Sequence, residues 1–308
     1  MSNNAIEVDG LTKQFGSFNA INNVSFSVHT GEIFGILGPN GAGKTTTLEI
    51  IEGLQAPTKG HTKVLDINSQ NNAPKVKERI GVQLQSSAYF DYLTLTEILD
   101  LFGKFYPKRI PAKTLLAQVG LSDQSSLTPR KLSGGQRQRF TVAATLVNDP
   151  EIVILDEPST GLDPQSRRNL WTLIRQFNNQ GRTVVLTTHY MEEAEELCDR
   201  VAIMNTGNII ALDTPDNLVH SLPTPYTIKL VSHSLLPVEE VQELGWTHLT
   251  TANTENHTYT FKSKESPQTL SWLLEWAATR QLIFKDIQII KASLEDVFLA
   301  FTGHQLKD

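Results

Sequence analysis

The chain of 308 residues carries 27 Lys and Arg against 33 Asp and Glu, a formal charge of −6, and 39% of it is hydrophobic. That composition excludes a disordered chain, and the acidic balance argues against a general nucleic-acid binder, which carries a basic excess or stripe. The single cysteine, Cys198, excludes an intrachain disulfide framework. Residues 1–10 read as lacking a secretory leader, and no stretch approaches the roughly 18 consecutive apolar residues of a membrane span. The expectation is a soluble, cytoplasmic protein of about two domains.

Taken in chain order, short apolar strands are predicted at 5–8, 24–28, 33–37, 63–65, 80–84, 152–156, 183–188, 201–204 and 209–212. The runs Ile152 to Leu155 and Val184 to Leu186 are continuously apolar, which suits strands buried on both faces of a parallel sheet. Helices are predicted at 45–52, 136–147, 164–178 and 191–197, and this alternation predicts a doubly wound α/β core. The early strands follow one another without a helix, so a small antiparallel sheet is expected to flank that core. Residues from about 86 to 145 read as a helical insertion, with amphipathic helices at 96–105 and 112–119.

Past Thr214 and Pro215 the pattern changes. Strands at 226–231, 247–251, 257–262 and 285–290 alternate with helices at 238–244 and 269–280, the latter with Trp272 and Trp276 four residues apart. The order β-α-β-β-α-β predicts a small ferredoxin-like α+β domain. Ser293 with Asp296 predicts a capping box opening a last helix at 294–301. The predicted domains are 1–220 and 221–308, linked by Ser221-Leu222-Pro223-Thr224-Pro225. Glu192, Glu193, Glu195 and Glu196 read as a solvated face at a helix start.

Three segments carry chemistry. Gly38-Pro39-Asn40-Gly41-Ala42-Gly43-Lys44-Thr45 follows an apolar strand and precedes a helix, the context in which G-x-x-x-x-G-K-[ST] cradles phosphates. Its glycines let successive N–H groups point at phosphate oxygens, the helix adds its positive end, and Lys44 reaches the outer phosphates. Thr45 offers a hydroxyl to Mg²⁺, which takes few protein ligands. The buried strand ending at Asp156-Glu157 delivers two carboxylates to the edge where open α/β sheets bind ligands: Asp156 to hold Mg²⁺ through water, Glu157 to orient or deprotonate an attacking water. Leu132-Ser133-Gly134-Gly135-Gln136 opens a helix and offers either an anion site or an ordinary capping turn.

In that order, the P-loop, the Ser-Gly-Gly-Gln segment and the apolar strand ending Asp-Glu resemble the ATPase subunit of an ABC transporter. The resemblance covers residues 5 to about 220. It implies an ABC-type P-loop core with the antiparallel flank and helical insertion above, binding ATP and Mg²⁺. ATP would lie on Asn40, Gly41, Gly43, Lys44, Thr45 and Thr46, and Phe15 resembles the aromatic that stacks on adenine. Gln85 resembles the glutamine that touches Mg²⁺ and the attacking water, with Gln83 two residues earlier. Asp163 ends a loop from Ser159 that resembles the segment crossing between subunits, and His189 resembles the histidine at the γ-phosphate.

Further implications concern partners. A second copy would supply Ser133, Gly134, Gly135 and Gln136 to the same ATP, in an ATP-dependent homodimer. The segments around Asp163 and His189, and Leu294-Glu295-Asp296-Val297-Phe298-Leu299, are similar to the drug-resistance type of bacterial exporter ATPase. That type implies a separate transmembrane permease, no nucleic acid, and a cytoplasmic protein held at the inner face of the membrane. The helical insertion, with Tyr89, Phe90, Tyr92 and Leu93, would dock the permease or simply pack its own core. The terminal domain would be a dimer cap or a ligand sensor. The competing reading is a soluble ABC ATPase acting on ribosomes or DNA. Only one P-loop and no coiled coil or zinc module argue against it.

Overall fold

The structure, a computed structural model, describes residues 4–83, 89–236, 247–253, 256–264 and 266–303. The predicted helix at 238–244 and Gln85 lie outside the described residues. The chain divides between Pro215 and Asp216 into two compact units.

The first unit is built on a six-stranded sheet. Its strands are β3 (Ile33–Leu37), β6 (Ile80–Gln83), β7 (Ile152–Asp156), β8 (Thr183–Thr188), β9 (Arg200–Asn205) and β10 (Asn208–Asp213), in the order β10-β9-β3-β8-β7-β6. The pairings from β9 to β6 are parallel, and β10 returns antiparallel to β9. Every residue of β3, β7 and β8 is buried, which is why apolar runs such as Ile152 to Leu155 and Val184 to Leu186 lie along them. The antiparallel flank holds β1 (Asn4–Phe15), β2 (Phe18–His29), β4 (Lys59–Val64) and β5 (Ile67–Asn68), ordered β2-β1-β4-β5.

Strands β1 and β2 each run 12 residues, far longer than the predicted 5–8 and 24–28. Register shifts break the period-2 signal along both, and they hid the strands' length. Helices of this unit are α1 (Lys44–Ile51), α2 (Ala73–Arg79), α3 (Leu95–Gly103), α4 (Ala112–Gln118), α5 (Gly134–Thr145), α6 (Pro164–Asn179) and α7 (Met191–Leu197). Helix α2 was not predicted: it is short, and Pro74 after Asn71-Asn72 reads as a turn until it is seen to occupy the helix's first turn. Helices α3, α4 and α5 form the insertion. Within it Tyr89 packs on Phe140 and Phe102, with ring centroids 5.0 and 6.3 Å apart, whereas Tyr92 is 91% exposed.

One expectation fails here. Glu193 of α7 is wholly buried, not solvated: its Oε1 accepts hydrogen bonds from Ser159 Oγ and from Trp171 Nε1, the latter at 3.0 Å. The helix turns this one glutamate of the four inward, toward polar donors that lie far away in sequence.

The second unit begins within α8 (Pro215–His220). It continues with β11 (Tyr226–Ser232), β12 (Thr247–Asn253), β13 (Thr258–Ser263), α9 (Ser266–Thr279), β14 (Phe284–Lys291) and α10 (Leu294–Thr302). The strands form an antiparallel sheet ordered β12-β13-β11-β14, the ferredoxin-like order. Ile228, Leu230, Tyr259, Phe261 and Leu273 are its core. Of the two tryptophans on α9, Trp276 is buried and Trp272 stands 42% exposed at the rim. The capping box of α10 is formed as expected: Asp296 N donates to Ser293 Oγ, and Ser293 N donates to Asp296 Oδ2 at 2.8 Å.

Candidate active site

The carboxyl ends of β3, β7 and β8 converge on one edge of the first unit's sheet. From β3 the chain passes through Gly38 and turns into α1, whose first residue is Lys44. Two glycines make this turn possible. A Cβ on Gly38 would sit 2.3 Å from Met204 O, and Gly43, at φ +101°, would bring one 2.5 Å from Ala20 O. The loop therefore wraps closely around Lys44, which is 4% exposed. Its Nζ donates to Gly38 O at 2.8 Å and Pro39 O at 3.2 Å, and lies 3.3 Å from Glu157 Oε1.

Strand β7 supplies the two carboxylates. Asp156 accepts from Thr45 Oγ1 at 3.1 Å and from Thr187 Oγ1 on β8. A hydroxyl and a carboxylate side by side at a helix start are the hard oxygen donors that Mg²⁺ prefers. Glu157 adopts φ +49°, an uncommon conformation for a side-chain-bearing residue. Its N–H is held by Thr187 O at 3.2 Å and Thr187 Oγ1 at 3.0 Å. The other Glu157 oxygen, Oε2, lies 3.3 Å from His189 Nδ1 and accepts from Thr160 Oγ1 at 3.3 Å. Glu157 is thus buried between a lysine and a histidine, with both carboxylate oxygens committed.

Of these groups Lys44, Thr45 and Glu157 line a cleft of about 430 Å³, while Asp156 and His189 stand behind them and are not among its lining residues. Asn40, Gly41, Gly43, Lys44, Thr45, Thr46 and Glu157 line it together with Phe15 and Phe18. Phe15 is 48% exposed, and Lys13 Nζ stands 4.9 Å from its ring centroid. Phe15 pairs across the β1–β2 turn with Phe18, a ring that the sequence reading passed over. The signal was present: Phe15-Gly16-Ser17-Phe18 is a two-residue hairpin pattern that sets both rings side by side. Thr187 was also missed, because a threonine inside an apolar strand carries no local sign that it will bond both Asp156 and Glu157.

Other predicted residues lie outside this cleft. Ser133 caps α5 in a full capping box with Gln136: Gln136 N donates to Ser133 Oγ, and Ser133 N donates to Gln136 Oε1 at 2.9 Å. Neither they nor Gly134 and Gly135 line the cleft of their own chain. Asp163 caps α6, accepting from Gln165 N, Ser166 N and Ser166 Oγ, and these bonds hold its carboxyl below the usual range. A second cleft, of about 300 Å³, is bordered by Glu52, Lys77, Tyr106 and Asn148. Glu52 is 3% exposed, and its Oε2 has no hydrogen-bond partner. Burial, then the nearby charges of Asp156 and Glu49, push its carboxyl up to about 8, against the opposing pull of Lys77.

A phosphate-cradling loop, a buried lysine and two carboxylates at the sheet's carboxyl edge define a P-loop nucleoside-triphosphatase. A family model described as ABC transporter matches residues 21–160. The chain is 34% identical, over 98% of its length and 95% of the relative's, to Nod factor export ATP-binding protein I of Ralstonia nicotianae. It is 32% identical, over 98% of its length and all of the relative's, to the linearmycin resistance ATP-binding protein LnrL of Bacillus subtilis. Among solved structures, an ATP-binding subunit of an ABC transporter superposes with a TM-score of 0.63 at 28% identity, covering 70% of this chain and 91% of that one. A dimeric ATP-binding cassette in a post-hydrolysis state with ADP and Pi gives 0.61 at 28% identity, covering 68% and 98%.

The chain belongs to the ATP-binding subunits of ABC transporters. It binds and hydrolyses ATP and powers transport by a separate membrane permease. Among the described residues no helix is long and apolar enough to cross a membrane.

Proposed function

We propose that the 430 Å³ cleft is the hydrolytic ATP site and that it drives export. The observation that carries the reading is the convergence of Lys44, Glu157 and His189, each 3.3 Å from its neighbour, at the mouth of the P-loop. ATP lies with its phosphates on the N–H groups of 40–46 and on Lys44, and its adenine against Phe15. Thr45 and Asp156 would hold Mg²⁺, which would neutralise charge on the phosphates, and Gln85, outside the described residues, is given the same role by resemblance alone. Glu157 takes a proton from the water that attacks the γ-phosphorus, the bond from that phosphorus to the β–γ bridging oxygen breaks, and ADP and inorganic phosphate result. His189 holds the γ-phosphate and keeps Glu157 in place.

A second copy of the chain completes the site. Its Ser133, Gly134, Gly135 and Gln136 face the γ-phosphate, and the loop ending at Asp163 crosses between copies. The absence of these residues from their own chain's cleft, and the dimeric state of similar cassettes, support this. Two helix N-termini on one triphosphate turn ATP binding into association, and hydrolysis removes the bridge. The permease docks on the helical insertion and keeps the protein at the inner face of the membrane. Export as the direction rests on the relatives named for Nod factor export and linearmycin resistance. The division into residues 1–220 and 221–308 is read functionally, the smaller part extending the dimer interface as a cap. Purified chain assembled with its permease is expected to show ATPase activity that requires Mg²⁺. Absence of such activity would refute the reading.

A further inference from the structure

The mechanism above makes no use of Glu193, a wholly buried carboxyl on α7. Glu193 and Ser159 are both fully buried, and Trp171 nearly so. Ser159 lies two residues after Glu157, and Glu193 lies four residues after His189. Trp171, on α6, donates to Glu193 Oε1 at 3.0 Å and to Ser159 Oγ at 3.3 Å, while Ser159 Oγ donates to the same Glu193 oxygen. A single carboxyl oxygen therefore ties the loop behind the general base to the helix behind the γ-phosphate histidine.

The loop needs such a tie. Glu157 holds φ +49°, and a side-chain-bearing residue stays in that region only where its surroundings over-determine it. Thr187 fixes the Glu157 N–H from one side. On the other side Gln138 Nε2 donates to Pro158 O at 2.5 Å, and Ser159 is anchored on Glu193. Arg167 on α6 bears on the same helix from outside, 3.6 Å from Glu192 Oε2 and 4.4 Å from the Tyr190 ring centroid. Burial raises the Glu193 carboxyl above its usual range, and the bonds from Ser159, Thr188 and Trp171 oppose that rise.

We propose that Glu193 is a positioning residue for ATP hydrolysis: by joining Ser159 and Trp171 to α7 it sets the separation of Glu157 and His189. It touches neither nucleotide nor water. The arrangement asks for an acceptor at Oε1 and not for a negative charge, so a neutral isostere serves equally well. The proposal rests on the roles given to Glu157 and His189 above.

The test compares Glu193→Ala, Glu193→Gln and Ser159→Ala in the full chain assembled with its permease. ATP turnover and nucleotide affinity are measured separately. Glu193→Ala is expected to lower kcat about tenfold or more, since small misplacement of a reacting group is enough for that, while the ATP Kd stays within about twofold. Glu193→Gln is expected to keep kcat within about twofold of native, because its Oε1 still accepts from Ser159 and Trp171. Ser159→Ala, which cuts the same tie from the other end, is expected to lower kcat in the same direction as Glu193→Ala. Native kcat in Glu193→Ala or Ser159→Ala, an equal loss in Glu193→Gln, or a Kd that rises in step with the loss of kcat would each overturn the proposal. A Glu157→Gln control that still turned over at the native rate would instead overturn the catalytic reading beneath it.

Discussion

Glu52 offers a quantitative check on the electrostatics behind the active site. Its carboxyl moves from 4.5 to about 8 on folding, because it is buried at the end of α1 with Asp156 and Glu49 nearby. Between those pH values the native chain holds a proton that the unfolded chain has released, so stability falls as pH rises from 4.5 toward 8 and then levels off. Each pKa unit is worth about 1.4 kcal/mol, and the full displacement corresponds to about 5 kcal/mol. The cleft beside Glu52 opens to solvent and Lys77 borders it. Water entry and side-chain movement bring the measurable part to about 2–3 kcal/mol. Glu52→Gln removes the titration and keeps the shape. At pH 4 the variant and the native chain should unfold together. At pH 8.5 the variant should be more stable by about 2–3 kcal/mol, or roughly 5–10 °C in Tm for a unit of this size. Thermal and urea unfolding across that pH range, followed by circular dichroism, makes the measurement. A difference that does not change with pH, or a variant less stable at pH 8.5, would refute the argument.

Two further outcomes concern the nucleotide. Removing the Phe15 ring in Phe15→Ala should raise the Kd for ATP about fivefold or more, as loss of a stacking face does, and leave that for inorganic tripolyphosphate unchanged; titration calorimetry with both ligands decides it. Gly43→Ala should abolish ATP binding in the same assay, since its Cβ would collide with Ala20 O and the residue would be held at φ +101°.

The P-loop was legible in the sequence because its chemistry is contiguous: strand, glycines, lysine and helix follow one another within a dozen residues. The Asp156-Glu157 pair was legible for the same reason, and the continuously apolar strands announced a sheet covered on both faces. What escaped depends on contacts between distant segments. Glu193 sits in an acidic run that looks like a solvated face, and only Ser159 and Trp171, brought in from another loop and helix, make its burial tolerable. Thr187 shows its role only once β8 lies beside β7. Phe18 was missed for want of joining β1 to β2 through a two-residue turn. The strand order of the second unit followed from the β-α-β-β-α-β pattern, whereas which tryptophan of α9 enters its core did not.

The most direct test of the composite ATP site is Glu157→Gln. Its amide keeps the size of the side chain but can no longer accept the proton of the attacking water. Light scattering and turnover measured on the same sample with ATP and Mg²⁺ should find a stable dimer with no hydrolysis, the dimer dissociating when ATP is withdrawn. A variant that hydrolyses ATP at the native rate, or that stays monomeric with ATP bound, would contradict the account.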